Sequence, residues 1–151
     1  MFGMEKSRFA VIVKAAFQEA RQRGDRRVGT EHLLLGTLHD ADSARALGVD
    51  LAGARAALDE LDRAALRLLG LEVGDLPQAP RKHPAVPDTA LTSSARAVIN
   101  QSIRATTLKT RSKEAPRQLV LALLERGRPD PVARLVEQLG IDHAAVRSRI
   151  A

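Results

Sequence analysis

The strongest constraint on how this chain can fold is that its first half is repeated in its second. His32-Leu33-Leu34-Leu35-Gly36-Thr37-Leu38 is similar to Gln118-Leu119-Val120-Leu121-Ala122-Leu123-Leu124. The corner Leu47-Gly48-Val49-Asp50, followed by Arg55, is matched by Leu139-Gly140-Ile141-Asp142, followed by Arg147. Order is kept, and the spacing between the two blocks is about six residues longer in the second half. A motif that recurs in order recurs as a structural unit. Each unit reads as helix, short helix, short helix, capped helix, and neither can bury its apolar face alone. The expected fold is all-α: about eight helices, as two four-helix repeats packed about a pseudo-two-fold axis. The whole chain, 1–151, reads as one domain, with repeat 1 over 1–69, a linker over 70–90 and repeat 2 over 91–151.

Local signals divide the repeats into elements. From Glu5 to Gln22, Phe9, Ile12, Val13, Ala16, Phe17 and Ala20 recur at three- and four-residue steps, which is one buried helix face. Gly24 is its expected stop. Thr30 reads as the N-cap of a short helix through Leu38, with Glu31 in its first turn, and Asp40 to Ser43 reads as a polar break. Asp50 caps a helix to about Leu69. Gly70, Gly74, Pro77, Pro80, Pro84 and Pro87 mark the linker. Thr92 caps the next helix, and the basic stretch Lys109 to Lys113 interrupts it. Pro116 suits the first turn of the helix carrying Leu119 to Leu124. Pro129 and Pro131 open another, and Asp142 caps the last.

Composition removes several classes of function. Apolar residues make up 44% of the chain but aromatics only 2%, a Leu- and Ala-rich balance that favours helix over strand. There is no cysteine, hence no disulfide and no thiolate ligand or nucleophile, which fits a cytoplasmic protein. No apolar run reaches the roughly 20 residues of a membrane span, and the first residues carry no hydrophobic signal region. The serines lack the Gly-x-Ser-x-Gly elbow, and no HExxH pairs the histidines. His32 is expected to pack or bond at the repeat interface, and no metal or other cofactor is expected. A net charge of +6 draws anionic partners, and Lys109 to Arg117 could contact nucleic-acid phosphates. With no aromatics between the cations, nucleic-acid binding is the alternative reading and the disfavoured one.

The block Gly29-Thr30-Glu31-His32-Leu33-Leu34-Leu35-Gly36, with the Leu-Gly-x-Asp corners and the duplication, resembles the Clp N-terminal (Clp repeat) domain family. These domains precede the motors of ClpA- and ClpC-type AAA+ unfoldases. The resemblance covers nearly the whole chain and is stronger over residues 1–60. It implies a non-catalytic domain that receives substrates or adaptors for a Clp unfoldase and its protease. No Gly-x-x-x-x-Gly-Lys-Ser/Thr loop is present to cradle nucleotide phosphates, so the expectation is a stand-alone copy without ATPase modules.

The ClpC branch of the family recognises phosphoarginine, and the resemblance implies which residues would do so here. Thr30 and Glu31 of repeat 1 would form one site, with Lys6 and Ser7 standing where the family has a Thr early in the first helix. A carboxylate forks onto a guanidinium, while hydroxyls and helix N-termini take the phosphate. The second site would keep Thr92 but reads Ala115-Pro116-Arg117-Gln118 where the family has Gly-Thr-Glu-His. Arg117 would repel a guanidinium, and the site would take a carboxylate or phosphate instead. Phe2 and Leu91 fall at apolar positions of a peptide groove between the repeats. The expected partners are a ClpC-type unfoldase, its substrates and adaptors, arginine-phosphorylated proteins and cyclic peptide antibiotics, in an adaptor, accessory-receptor or decoy role.

Overall fold

The computed structural model describes residues 7–70 and 90–150. They form eight helices: α1 (Arg8–Arg23), α2 (Thr30–Thr37), α3 (Ala41–Leu47), α4 (Leu51–Leu68), α5 (Ser93–Arg104), α6 (Arg111–Glu125), α7 (Pro131–Leu139) and α8 (His143–Ile150). No strand occurs among the described residues beyond an isolated parallel bridge between Val28 and Leu91. Gly70 and Ala90 apart, the expected linker lies outside the described residues, as do Phe2 and Lys6.

Helix ends follow the short-range chemistry of the sequence. The side chains of Asp50, Thr92 and Asp142 accept from the backbone N–H groups of Gly53 (2.7 Å), Ala95 (3.1 Å) and Ala144 (3.0 Å). Gly24, Gly48 and Gly140 end α1, α3 and α7 with φ of 78°, 74° and 66°, a left-handed conformation that L side chains rarely adopt. Each Leu-Gly-x-Asp corner is thus a left-handed helix stop followed two residues later by a cap.

Four local expectations are corrected. Gly29, not Thr30, is the N-cap of α2, and Thr30 is its first helical residue. The polar break at Asp40 to Ser43 is a helix start: Asp40 caps α3 by accepting from Ser43 N–H (3.1 Å). The basic stretch does not run as an interruption to Lys113, because α6 is already helical from Arg111. Pro116 therefore sits inside α6, a turn beyond its start, rather than in its first turn. The Thr110 carbonyl accepts from Lys113 and Glu114 N–H (3.0 and 2.8 Å), and the pair Glu114–Arg117 (3.1 Å) bridges the added turn. The matching stretch of repeat 1 stays a loop because Gly24 stops α1 and Val28 is drawn into its bridge.

The core is built on α2 and α6. Leu33, Leu34 and Leu35 of α2, with Leu119 and Leu123 of α6, are fully buried. Each such side chain contributes about 1.5–3 kcal/mol of transfer free energy. Exchanging α1–α4 with α5–α8 maps one set of helix contacts onto the other. The pair α1–α2 becomes α5–α6, α1–α6 becomes α2–α5, α4–α7 becomes α3–α8, and α2–α4 becomes α6–α8. That reciprocity is the contact pattern of a pseudo-two-fold, and it sets the two halves against each other around a single core.

Candidate functional site

A cleft of about 430 Å3 opens where the N-termini of α2, α5 and α7 converge beneath α4. Two backbone bonds make the convergence: Val28 N–H donates to Ala90 O (3.0 Å), and Thr92 N–H donates to Val28 O (3.0 Å). They lay the start of α5 in repeat 2 beside the start of α2 in repeat 1. Thr30 adds a third tie. Its buried hydroxyl donates to Asp130, the cap of α7, and accepts weakly from Val132 N–H (3.4 Å).

Three carboxylates line the cleft, Glu31, Asp25 and Asp62, together with the arginines Arg23, Arg26 and Arg27. Glu31 lies in the first turn of α2 with its side chain one-fifth exposed (20%), and its Oε1 is buried with no hydrogen-bond partner among the described residues. An added Cβ on Gly29 would lie 2.0 Å from that oxygen, so the carboxylate occupies space that only glycine leaves open. His32 locks the turn beneath: Gly29 N–H donates to Nδ1 (2.9 Å), which assigns the ring proton to Nε2 and its bond to Asp25 (2.7 Å). His32 therefore bonds within its own α1–α2 connection rather than across the repeat interface.

Three carboxylates share one guanidinium at the back of the cleft. Arg23, largely buried, bonds Asp59 (2.5 Å) and Asp62 and lies 3.5 Å from Asp25. Burial and the repulsion of Asp25 and Asp59 outweigh Arg23 at Asp62 and raise its carboxyl above its ordinary value. At Asp25 burial also pushes upward, but the bond from His32 and the Arg23 charge outweigh it, and the carboxyl is depressed. The rim has a different character. Arg26 and Arg27 are exposed, and Thr92 and Ser94 stand at the N-terminus of α5, the positive end of its dipole. Capping Ala95 uses one lone pair of the Thr92 hydroxyl and leaves its proton to donate.

The residues singled out in the sequence are regrouped by this geometry. Thr30 and Glu31 meet Thr92, not Ser7. Ser7 caps α1, accepting from Ala10 N–H (3.1 Å), and its neighbour Arg8 lines a second cleft of about 560 Å3 together with Arg117. Each cleft thus takes its α2- or α6-type helix from one repeat and its α5- or α1-type N-terminus from the other. The pairing expected within a repeat is corrected to a pairing between repeats, because the Val28–Leu91 bridge spans the halves. Leu91 is half-buried against the core beside that bridge. Asp62, Ser94, Arg26 and Arg27 were not singled out. The helical spacing Leu58 to Asp62 puts both on one face of α4, but only packing turns that face to this cleft.

The chain is similar to known proteins over nearly its whole length. The family described as the Clp repeat (R) N-terminal domain matches residues 6–138. A ClpA homolog from Cyanidium caldarium, described as an ATP-dependent Clp protease ATP-binding subunit, is 27% identical over 155 residues. That match takes in 99% of this chain but only 16% of the relative. With the duplicated helical architecture and the family match over most of its residues, the chain belongs to the Clp repeat N-terminal domain family.

Proposed function

We propose that the chain is a non-catalytic receptor domain of the Clp unfoldase-protease system, acting in the cytoplasm, and that the cleft at Glu31 captures phosphoarginine on protein segments. The observation that carries the reading is Glu31 Oε1, buried and without a hydrogen-bond partner among the described residues, in a cleft that the N-terminus of α5 also lines. A phosphorylated guanidinium needs a carboxylate for its N–H donors and, a few ångströms away, donors for its phosphate. Glu31 and Asp62 supply the first. Thr92, Ser94, the α5 N-terminus and the rim arginines Arg26 and Arg27 supply the second. Thr30 serves from beneath: its hydroxyl is spent on Asp130 and Val132, so it positions the first turn of α2 rather than touching ligand.

A domain of this kind works as an adaptor or accessory receptor when it passes its cargo to the motor. It works as a decoy when it holds cargo, or a cyclic peptide antibiotic aimed at the unfoldase, away from it. Calorimetric titration with free phosphoarginine tests the cleft. Glu31→Gln is expected to weaken binding tenfold or more, the scale of one charge-assisted bond. No heat from the unsubstituted protein at millimolar ligand would refute the assignment. Recovery of a ClpC-type unfoldase or arginine-phosphorylated proteins by pull-down from the native host tests the placement in the Clp system.

A further inference from the structure

The second cleft is the two-fold counterpart of the first, with a different balance of charge. Aligning the Leu-Gly-x-Asp corners puts Ile150 of α8 at the position of Leu58 of α4, and aligning the leucine blocks puts Arg117 at the position of Glu31. Ile150 and Arg117 line one cleft, Leu58 and Glu31 the other. The start of α1 and the start of α3 take the places of the starts of α5 and α7. Where the first cleft sets Asp25, Glu31 and Asp62 against Arg23, Arg26 and Arg27, the second is lined by Arg8, Arg45, Arg117 and Arg149, with Asp42 the one carboxylate among its described lining residues.

The pairing of these arginines leaves donors to spare. Arg8 forks onto Asp40 (2.9 and 2.7 Å), which fixes its guanidinium at the cleft edge. Arg117 meets Glu114 (3.1 Å) and Arg45 meets Asp42 (3.4 Å), both exposed pairs one helical turn apart that hold their partners loosely. Arg149 has no carboxylate within salt-bridge distance among the described residues. One of its nitrogens donates to Ala46 O at the end of α3 (2.9 Å), which anchors the side chain across the repeats and leaves its other N–H groups to the cleft. A guanidinium held by a carbonyl is oriented but not neutralised, and its planar fork matches the two oxygens of a carboxylate or phosphate.

We infer that this cleft is a second binding site, for an oxyanion-bearing side chain of a protein segment: a phosphomonoester or a carboxylate. Its apolar flank of Val120, Ala46 and Ile150 and its concave form suit a single side chain with its neighbours. A duplex backbone instead needs an open basic stripe. The inference does not depend on what occupies the Glu31 cleft. It makes the domain two-handed, one cleft of mixed charge with a buried carboxylate oxygen and the other basic.

Fluorescence anisotropy with three labelled eight-residue peptides tests it. They share an uncharged background and carry serine, phosphoserine or glutamate at one position. The phosphoserine or the glutamate peptide is expected to bind at least about tenfold more tightly than the serine peptide, and which of the two does so identifies the source of the oxyanion. Arg117→Gln and Arg117→Glu, on an exposed side chain, are each expected to remove about tenfold or more of that preference, with unchanged circular dichroism. Glu31→Gln is expected to leave it intact. Equal binding of all three peptides overturns the site, as does a preference that survives both Arg117 substitutions. Competition by a short DNA duplex at equal affinity also overturns it, since a general polyanion surface would then explain the binding. Phosphoarginine titration reads the other cleft, so failure of either site leaves the other result interpretable.

Discussion

Gly29 has φ −103° and ψ −177°, an extended conformation open to any residue, so backbone freedom does not explain a glycine there. What it provides is room: the Glu31 carboxylate lies where a Cβ would be. The far end of a glutamate can swing away at little cost. Gly29→Ala is therefore expected to change stability by no more than about 1 kcal/mol in urea denaturation while re-aiming the carboxylate. Phosphoarginine affinity should fall with it, and equal affinity by calorimetry would separate the glycine from the site. Gly36 is the opposite case. An added Cβ would meet the Ile12 carbonyl at 2.5 Å and Ala16 at 3.1 Å, where backbone has to move. Gly36→Ala is expected to cost about 1–3 kcal/mol, read as a lowered urea midpoint at unchanged slope.

Helices α1 and α4 of repeat 1 are joined by a buried carboxylate rather than by apolar contact alone. Glu19 of α1, 2% exposed, accepts both arms of Arg55 of α4 (2.9 and 2.6 Å) and bonds His39 beyond the end of α2 (2.9 Å). Removing Arg55 leaves that charge with one partner. Breaking a fully buried pair costs about 3–5 kcal/mol, and Arg55 is half-exposed, so about 1–3 kcal/mol is expected for Arg55→Ala. A substitution that left the thermal midpoint unchanged would show the ion pair to be incidental. In the second repeat the alignment puts Arg147 at this position, but α5 offers no buried glutamate to meet it. The two repeats share a fold and differ in the polar joints that brace it.

Across the whole molecule the charges predict how stability responds to acid. Burial raises the carboxyl of Glu19, but Arg55 and His39 outweigh it and hold the group below its ordinary 4.5. The bond from Arg8 holds Asp40 below 3.8 against burial, and Asp25 is likewise depressed. A carboxylate depressed in the folded state contributes stability above its unfolded pKa and loses it as pH falls through the folded one. The loss therefore begins near pH 4.5 and deepens below 3.8. Asp62, raised in the folded state, works in the opposite sense and offsets part of it. The urea midpoint is expected to hold between pH 7 and 5 and drop below about 4.5, with a shallower drop in Arg55→Ala. A midpoint that rose on acidification would contradict the assigned ion pairs.

The helices were legible because the information that makes them is short-range: apolar spacing, a cap within three residues, a glycine where the chain must turn left-handed. Asp50, Thr92 and Asp142 each act on an N–H two or three residues away, and a linear reading finds them. The duplication gave the fold class for a related reason, since two half-domains with exposed apolar faces have each other to cover them. The extra turn of α6 carries its own helix formers, Arg111, Lys113, Glu114 and Ala115, but its basic charge and the proline behind it mask that signal in a linear reading. Most of all, the grouping of Thr92 with Glu31 and of Arg117 with Arg8 and Arg149 joins residues about 30 to 140 positions apart. Only the docking of one repeat on the other, with the start of α5 bonded alongside Val28, places acid opposite helix N-terminus in one cleft and gathers arginines in the other.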